Sequence, residues 1–219
     1  MDPAFWLDRW QRGEIGFHQA EVNAALREHW PLVACPPTAP VFVPLCGKSG
    51  DMRWLHAQGH GVIGIDLAAA AVAGFFAAQE LRPERHRLGR LECWQAGGYA
   101  LYVGDFFELG ASQLAGVQAV YDRAALIALP PALRARYAAH LAAILPAGCR
   151  ILLLTMDYPQ EQMPGPPFAV AAAQVRELFA ADFFVTLLAS RDALRSEPRF
   201  QERGLKSLQE QSYLLVRRS

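Results

Sequence analysis

Strand-like apolar runs alternate along this chain with segments of helical character, and this alternation restricts the fold more than any other feature. Residues 41–44 are the first such run, and residues 50–58 follow with the character of a helix that ends at Gly59. Residues 61–66 are a second apolar run, followed by an alanine-rich helix at 68–80. This order predicts a βαβ unit and therefore a parallel sheet.

The rest of the chain continues the alternation and then changes at its end. The further predicted elements are a hairpin at 91–103, strands at 117–122 and 151–156, and helices at 131–145 and 171–179. The final strand-like runs, 183–188 and 212–217, have no clear helix between them, so we expect an antiparallel pair. The sequence therefore predicts one Rossmann-like α/β domain over residues 1–219, with a seven-stranded, mostly parallel sheet and helices on both faces.

Two further helices are predicted before the first strand. Phe5, Trp6 and Trp10 have the spacing of a short amphipathic helix. Residues 21–30 also have helical spacing, and Pro31 is predicted to end that helix. Because both segments precede the core, we expect them to cover the active site.

Composition excludes several classes of protein. Hydrophobic residues make up 53% of the chain and charged residues 19%, which favours a folded core over disorder. The 21 Lys and Arg residues are balanced by 21 Asp and Glu residues, so the positive field that nucleic-acid binding requires is missing. No apolar run approaches the roughly 20 residues of a membrane span, and the N-terminus does not have a signal-peptide pattern. We expect a cytoplasmic monomer whose partner is a small molecule, with no nucleic acid and no membrane involved.

The cysteines and histidines do not predict a metal site. The four cysteines are widely spaced, without a zinc-binding pair among them, and are expected to be reduced thiols: Cys35, Cys46, Cys93 and Cys149. His56 and His60 would share one face of a helix, but Gly59 between them indicates that the helix is ending. We therefore expect no metal.

The loop at 45–49, directly after the first strand, bears on the type of ligand. Gly47-Lys48-Ser49 ends like a phosphate-binding P-loop, but that pattern needs a glycine five residues before Gly47, where Phe42 stands. The chain also has no G-x-G-x-x-G fingerprint for a dinucleotide at this point. Ligands of open α/β sheets bind beyond the carboxyl ends of the strands, and a nucleoside without phosphates suits this loop best.

Polar residues follow the next two strands. Asp66 comes 21 residues after Leu45, the spacing at which an acidic side chain accepts hydrogen bonds from ribose hydroxyls. Its alternative role is a helix N-cap. Asp105 and Phe106 are candidates for a polar group and an aromatic ring beside an adenine, the alternative being a strand end with a core phenylalanine.

Two charged residues come at the end of the apolar run at 117–122: Asp122 is its last residue and Arg123 follows it. They are either a structural ion pair or a pair of charges that faces the cleft, since strand ends of this kind border the ligand site.

Five blocks of the sequence, in one order and over nearly the whole chain, resemble the thiopurine S-methyltransferase family in its bacterial form. The blocks are Phe5-Trp6-Leu7-Asp8-Arg9-Trp10, Gly16-Phe17-His18-Gln19, Pro44-Leu45-Cys46-Gly47-Lys48-Ser49, Tyr121-Asp122-Arg123-Ala124-Ala125-Leu126 and Pro164-Gly165-Pro166-Pro167-Phe168. The resemblance implies a class I methyltransferase that uses S-adenosylmethionine, without a metal, and releases S-adenosylhomocysteine. It implies a thiopurine, or another aromatic or heterocyclic thiol, as the methyl acceptor.

The resemblance also implies roles for individual residues. The family contacts S-adenosylmethionine at the positions of Trp10, Leu45, Asp66 and Arg123, and further lining is implied for Trp6, Phe17, Gly47, Asp105 and Phe106. Arg199 and Phe17 fall on the substrate side, with Arg195 as the rival of Arg199. Two positions depart from the family: Asp66 stands where glutamate is usual, and Asp105 where mammalian relatives have serine.

The reaction implied by the resemblance agrees with these residue types. Methyl transfer requires alignment and exclusion of water rather than a nucleophilic side chain. The guanidinium of Arg123 keeps its charge when partly buried and would favour a thiolate acceptor. The indole of Trp10 would attract a sulfonium cation by roughly 0.5–2 kcal/mol. Three alternatives stay open: a methyltransferase for selenium or tellurium compounds, as in tellurite resistance; a nucleotide-binding oxidoreductase; and a noncatalytic binding module.

Overall fold

The computed structural model describes residues 3–14, 16, 19 and 21–219. Within that part of the chain, nine strands form one sheet in the order β3-β4-β5-β2-β1-β6-β7-β9-β8. The strands are β1 (Val41–Pro44), β2 (Val62–Asp66), β3 (Glu84–Leu88), β4 (Leu91–Ala96), β5 (Tyr99–Val103), β6 (Ala119–Arg123), β7 (Arg150–Asp157), β8 (Phe183–Asp192) and β9 (Gln209–Arg217). The helices are α1 (Pro3–Arg12), α2 (Ala24–Val33), α3 (Asp51–Ala57), α4 (Ala69–Ala78), α5 (Ala125–Ala128), α6 (Pro131–Ile144), α7 (Ala172–Phe179) and α8 (Pro198–Glu202).

The centre of the sheet is parallel, as the sequence predicts. β5, β2, β1, β6 and β7 are neighbours and run in one direction. β9 lies between β7 and β8 and pairs antiparallel with both. The predicted fold class and the antiparallel ending are thus confirmed, and the carboxyl ends of the parallel strands meet at one edge of the sheet.

The prediction of seven strands is wrong, because the sheet has nine in the described residues. The predicted hairpin supplies two strands, β4 and β5, which brings the predicted runs to eight, and β3 adds the ninth as an antiparallel strand at the edge. Every residue of β3 is exposed, and its sequence, Glu-Arg-His-Arg-Leu, is mostly charged. Edge strands of this type have no apolar alternation, which is the signal used to recognise strands from sequence.

Two hydrophobic clusters cover the two faces of the sheet. On β1, Phe42 belongs to the cluster under α6 and α7, while Val41 and Val43 belong to the cluster under α2, α3 and α4. Successive side chains of a strand point to opposite faces, so a strand buried on both sides must be apolar throughout. Helices on both faces are therefore confirmed, and only the strand ends and their loops are free to form a site.

The helix α2 differs from its prediction at both ends. It begins after Asn23, whose side chain accepts hydrogen bonds from the backbone of Ala25 and Leu26. It continues through Pro31 to Val33, so the prediction that Pro31 ends the helix is wrong. A proline in the last turn removes one hydrogen bond but does not force the chain to leave the helix there.

The described part of the chain has no helix that is both long and apolar enough to cross a membrane.

Candidate active site

A cleft with a volume of about 400 Å³ opens at the carboxyl ends of the central strands. Its walls come from α1, from the loops after β1 and β2, from the ends of β6 and β7, and from α8 and β9. The residues that line the cleft include Trp6, Arg9, Trp10, Leu45, Cys46, Gly47, Lys48, Asp66, Tyr121, Arg123, Met156, Arg199, Arg203 and Glu210. This is the edge at which open α/β sheets bind their ligands.

The loop after β1 turns sharply through two residues with left-handed backbone. Leu45 has a φ of 45° and Gly47 a φ of 54°. Glycine adopts this conformation freely, whereas leucine does so at a cost of about 1–3 kcal/mol. A Cβ atom on Gly47 would lie 3.2 Å from atom Cζ2 of Trp10, so a side chain there would press against the indole. Gly47 thus allows α1 to close on the loop.

Asp66, at the end of β2, holds that loop through its carboxylate. Oδ2 accepts a hydrogen bond of 2.8 Å from the Gly47 amide, and Oδ1 accepts one of 2.9 Å from the Ala68 amide. The side chain is only 8% exposed, and burial raises its pKa from 3.8 to about 6 against the effect of these two hydrogen bonds. The N-cap residue of α4 is Ala68, so Asp66 ties the β1 loop to the start of α4 rather than capping the helix itself.

The tryptophans of α1 form an aromatic wall. Trp6 and Trp10 are both half-buried and line the cleft, and α1 lies against α4. The predicted N-terminal amphipathic helix is therefore present and faces the site. Such a wall excludes water and offers a π-face to a cation.

At the end of β6, alternate residues point to opposite sides of the sheet. Arg123 and Tyr121 line the cleft. Asp122 is fully buried on the other face, where it accepts hydrogen bonds from Tyr137 at 2.8 Å and from the Leu126 amide at 3.3 Å. The expectation that both charges face the cleft is thus wrong for Asp122, because the two-residue period of a strand separates it from Arg123.

The guanidinium of Arg123 is available to a ligand. In the part of the chain that the structure describes, it makes no hydrogen bond and no ion pair. The next residue, Ala124, has a φ of 75°, so this loop also turns through a strained non-glycine residue. Tyr121 beside it is engaged, since its hydroxyl donates a 2.9 Å hydrogen bond to Asp51, and burial raises its pKa well above the ordinary value.

The structure separates the two rival arginines of the C-terminal region. Arg199, on α8, lines the cleft and donates a 2.7 Å hydrogen bond to the carbonyl of Gly16. It also forms an ion pair with Glu197 at 2.9 Å. Arg195 is exposed and does not line the cleft. Arg199 therefore links α8 to the N-terminal segment, whereas Arg195 does not reach the site.

A sequence model of the family described as "Thiopurine S-methyltransferase (TPMT)" matches residues 1–218. The chain belongs to the thiopurine S-methyltransferase family. A thiopurine S-methyltransferase of Azotobacter vinelandii is 50% identical over 218 residues, which are 100% of both chains. One of Nitrosospira multiformis is 49% identical over 220 residues, again 100% of both. As a member of this family the chain is an S-adenosylmethionine-dependent transferase.

A solved structure shows the same fold at low identity. It is the 1,6-didemethyltoxoflavin-N1-methyltransferase of Burkholderia thailandensis, with 1,6-didemethyltoxoflavin and S-adenosylhomocysteine bound. It matches with a TM-score of 0.64 and 18% identity, over 99% of this chain and 87% of that one.

Two residues that the family resemblance singled out do not line the cleft. Asp105 is exposed, and its carboxylate accepts a 3.0 Å hydrogen bond from the Phe107 amide at the start of a short 3-10 turn. The ring of Phe106 is buried in the core, where it stacks on Phe42 with an interplanar angle of 12°. Phe17 lies outside the described residues. The Phe106 ring therefore packs in the core and is not part of the cleft lining.

Four charged residues of the cleft were not found by sequence reasoning. They are Arg9, Lys48, Arg203 and Glu210. Lys48 and Arg9 belong to two of the blocks that carry the family resemblance, at 44–49 and 5–10. The sequence therefore contained a signal for both residues. Arg203 and Glu210 come from a region without a recognised motif, and only the fold brings them to the strand ends.

The cysteines and histidines have structural positions. The four cysteines are free, and burial raises the pKa of each thiol, most strongly at Cys46. Trp30 donates a 3.2 Å hydrogen bond to His60, and His56 bonds the backbone carbonyl of His60. The described residues contain no group of three side chains able to hold a metal ion.

Proposed function

We propose that this enzyme transfers the methyl group of S-adenosylmethionine to the sulfur of thiopurines or of other aromatic or heterocyclic thiols. The observation that carries the proposal is Arg123, an arginine whose guanidinium has no hydrogen-bond or ion-pair partner among the described residues and lies in a cleft walled by tryptophans. A guanidinium in that position favours an anion such as a thiolate, because it stays charged when partly buried. Membership in the thiopurine S-methyltransferase family supports the same acceptor.

The residues of the cleft fit S-adenosylmethionine, which supplies an activated methyl group on a sulfonium when bound. Asp66 has a free lone pair on each carboxylate oxygen for ribose hydroxyls, beyond the two backbone bonds that fix its position. Leu45 and Gly47 form the turn that borders the cleft, and the missing side chain of Gly47 lets the Trp10 indole pack against this turn beside the proposed nucleoside site. Trp10 and Trp6 supply the aromatic wall for the cation.

Three further residues are proposed as ligand contacts. Asp105 and Phe106 follow β5, the neighbour of β2 in the sheet, and we propose that their backbone contacts the adenine. Phe17 is proposed beside the acceptor from the family resemblance alone.

No side chain of the cleft is needed as a nucleophile. Burial raises the pKa of the Cys46 thiol, which holds it in its unreactive protonated form. Heteroaromatic thiols ionise near neutral pH, so the cleft has only to hold the thiolate, align it and exclude water. Arg123 holds the anion, and the tryptophan wall excludes the water.

The remaining parts of the proposal concern the molecule in its surroundings. We propose a cytoplasmic monomer with a small-molecule acceptor, without a metal and without a nucleic-acid or membrane partner. The net charge of zero supports the absence of a polyanionic partner.

The proposal is tested in two steps on the purified enzyme. Calorimetry with S-adenosylmethionine, S-adenosylhomocysteine, NAD and ATP should show binding of the first two only, unchanged by a chelator. A methylation screen should then include aryl thiols, thiopurines, selenite and tellurite, with products identified by mass spectrometry. We expect S-methyl products from the thiols; methylation of selenite or tellurite without any thiol product would contradict the proposed acceptor.

A further inference from the structure

A glutamate on β9 faces the same cleft as Arg123. Arg123 pairs in register with Leu154 of β7, and Met156, two residues further along that strand, pairs with Glu210 of β9. Registered pairs and residues two apart on a strand share a face of the sheet, so Arg123 and Glu210 point to the same side. Both residues line the cleft. Their strands, β6 and β9, are separated by β7, so the two strand axes lie roughly 10 Å apart in the sheet.

The carboxylate of Glu210 has no protein partner in the described residues. Neither a hydrogen bond nor an ion pair holds it there, although it is half-buried. Its register neighbour on β8, Arg191, forms an ion pair with Glu28 instead. Glu197, the other charge near it, forms an ion pair with Arg199. Within the described residues, the side chains of Arg123 and Glu210 are thus a cation and an anion without a hydrogen bond or ion pair, and both line one cavity.

The electrostatic surroundings of Glu210 agree with this arrangement. Burial is the largest cause that raises its pKa, the negative charge of Glu197 adds to the rise, and Arg123 and Arg191 oppose it. A half-buried carboxylate without a donor has lost part of its hydration, and a ligand that supplies a hydrogen bond compensates for that loss. The described residues supply no such donor.

We propose that Glu210 is a specificity-determining residue that accepts a hydrogen bond from a ring N–H or amino group of the methyl acceptor. The acceptor is then a heteroaryl thiol that presents its sulfur towards Arg123 and an N–H donor towards Glu210. This inference rests on the proposed function, since it refines which thiols the cleft selects. Simple benzenethiols would bind without the second contact.

The negative charge of Glu210 allows a role in acceptor selection to be distinguished from a purely structural role. A carboxylate near the acceptor raises the pKa of a bound thiol, so its removal should favour the thiolate. With a donor-free thiol the substitution is therefore neutral or slightly favourable. With an N–H thiol the lost charge-assisted hydrogen bond dominates. A structural defect would instead lower activity with both.

The experiment compares wild type, Glu210→Gln and Glu210→Ala with benzenethiol and 2-mercaptobenzimidazole as acceptors. Glu202→Gln is the matched control, because Glu202 is exposed on α8 and does not line the cleft. We expect both Glu210 variants to lose about tenfold or more in kcat/KM with 2-mercaptobenzimidazole and to change less than about threefold with benzenethiol. The calorimetric affinity for S-adenosylhomocysteine and the activity of Glu202→Gln should stay at the wild-type level.

The remaining outcomes each overturn a different statement. Equal losses with both acceptors, or no loss with either, would overturn the role of Glu210 while wild-type activity on thiols still supports the proposed function. A wild-type enzyme inactive on both thiols would overturn the proposed function, and the role of Glu210 with it.

Discussion

The two ends of the cleft differ in how far the protein satisfies its own polar groups. At one end, which we call the cofactor half, Asp66 bonds two backbone amides and fixes the turn at Gly47. At the other end, the acceptor half, the side chains of Arg123 and Glu210 make no hydrogen bond or ion pair with the described residues. The first half is preorganised by backbone contacts, and the second depends on its ligand for completion.

This difference indicates how each half would be used. A preorganised site binds one invariant molecule without reordering, which suits a cofactor. Unpaired charges in a site favour ligands that carry complementary charges or hydrogen-bond donors. This suits the methyl acceptor, which can differ among family members. If the two halves act separately, a substitution in one half should leave the ligand affinity of the other half unchanged.

The largest effect is expected for Asp66→Ala. The variant loses the proposed ribose contact and the anchor of the Gly47 turn, so affinity for S-adenosylhomocysteine should fall about 10- to 150-fold, as for a hydrogen bond to a charged group. The fold should survive, because a pKa of about 6 for a buried carboxylate means that keeping it ionised at neutral pH costs about 3 kcal/mol. Calorimetry and a melting curve measure the two quantities. Unchanged affinity with a lowered melting temperature would make Asp66 a structural residue only.

A smaller loss, about 10- to 30-fold in kcat with an aryl thiol, is expected for Arg123→Lys. Lysine keeps the charge but loses the planar fork that can hold a ligand from two sides. Arg195→Lys is the matched control, because Arg195 is exposed outside the cleft. If Arg123→Lys turned over at the wild-type rate, the role given to Arg123 would be wrong, although the cofactor half would be unaffected.

Cofactor binding should weaken by roughly tenfold from pH 7 to pH 5, since Asp66 is protonated as the pH falls through about 6. The effect on stability has the opposite sign. Because the folded-state pKa is raised from 3.8 to about 6, this group's contribution to stability is full below 3.8 and is lost as the pH rises to about 6. Calorimetry from pH 5 to 8 measures the binding. Asp66→Asn should remove the pH dependence, and a wild-type affinity constant over this range would contradict the assignment.

The smallest effect is expected for Arg199→Ala, which should raise KM for the acceptor by about three- to tenfold, as for the loss of one hydrogen bond near the surface. Its guanidinium lines the acceptor half and holds the Gly16 carbonyl, so cofactor affinity should change less than KM. Arg195→Ala provides the comparison, with no change in either quantity expected. A loss confined to cofactor affinity would place Arg199 in the wrong half.

The cofactor half could be predicted from sequence much further than the acceptor half. Leu45, Gly47 and Asp66 follow buried apolar strands directly, so the order of strands along the chain already indicates that they meet. Glu210 and Arg203 have no comparable signal, because they reach the cleft only through the pairing of β9 with β7.

The errors in the fold prediction have local physical causes. β3 was missed because an exposed edge strand needs no apolar residues. Asp122 was placed with Arg123 because both charges end the same strand, whereas adjacent strand residues point to opposite faces, so only one of the two faces the cleft.

The central claim is that the acceptor half holds a thiolate. It is tested most directly by one competition assay, in which wild-type enzyme receives labelled S-adenosylmethionine and an amine, a catechol and an aryl thiol at equal concentration. Mass spectrometry of the products measures how the methyl group is divided among nitrogen, oxygen and sulfur. The account predicts that the S-methyl product predominates. Preferred methylation of nitrogen or oxygen would contradict it, even with the cofactor bound as proposed.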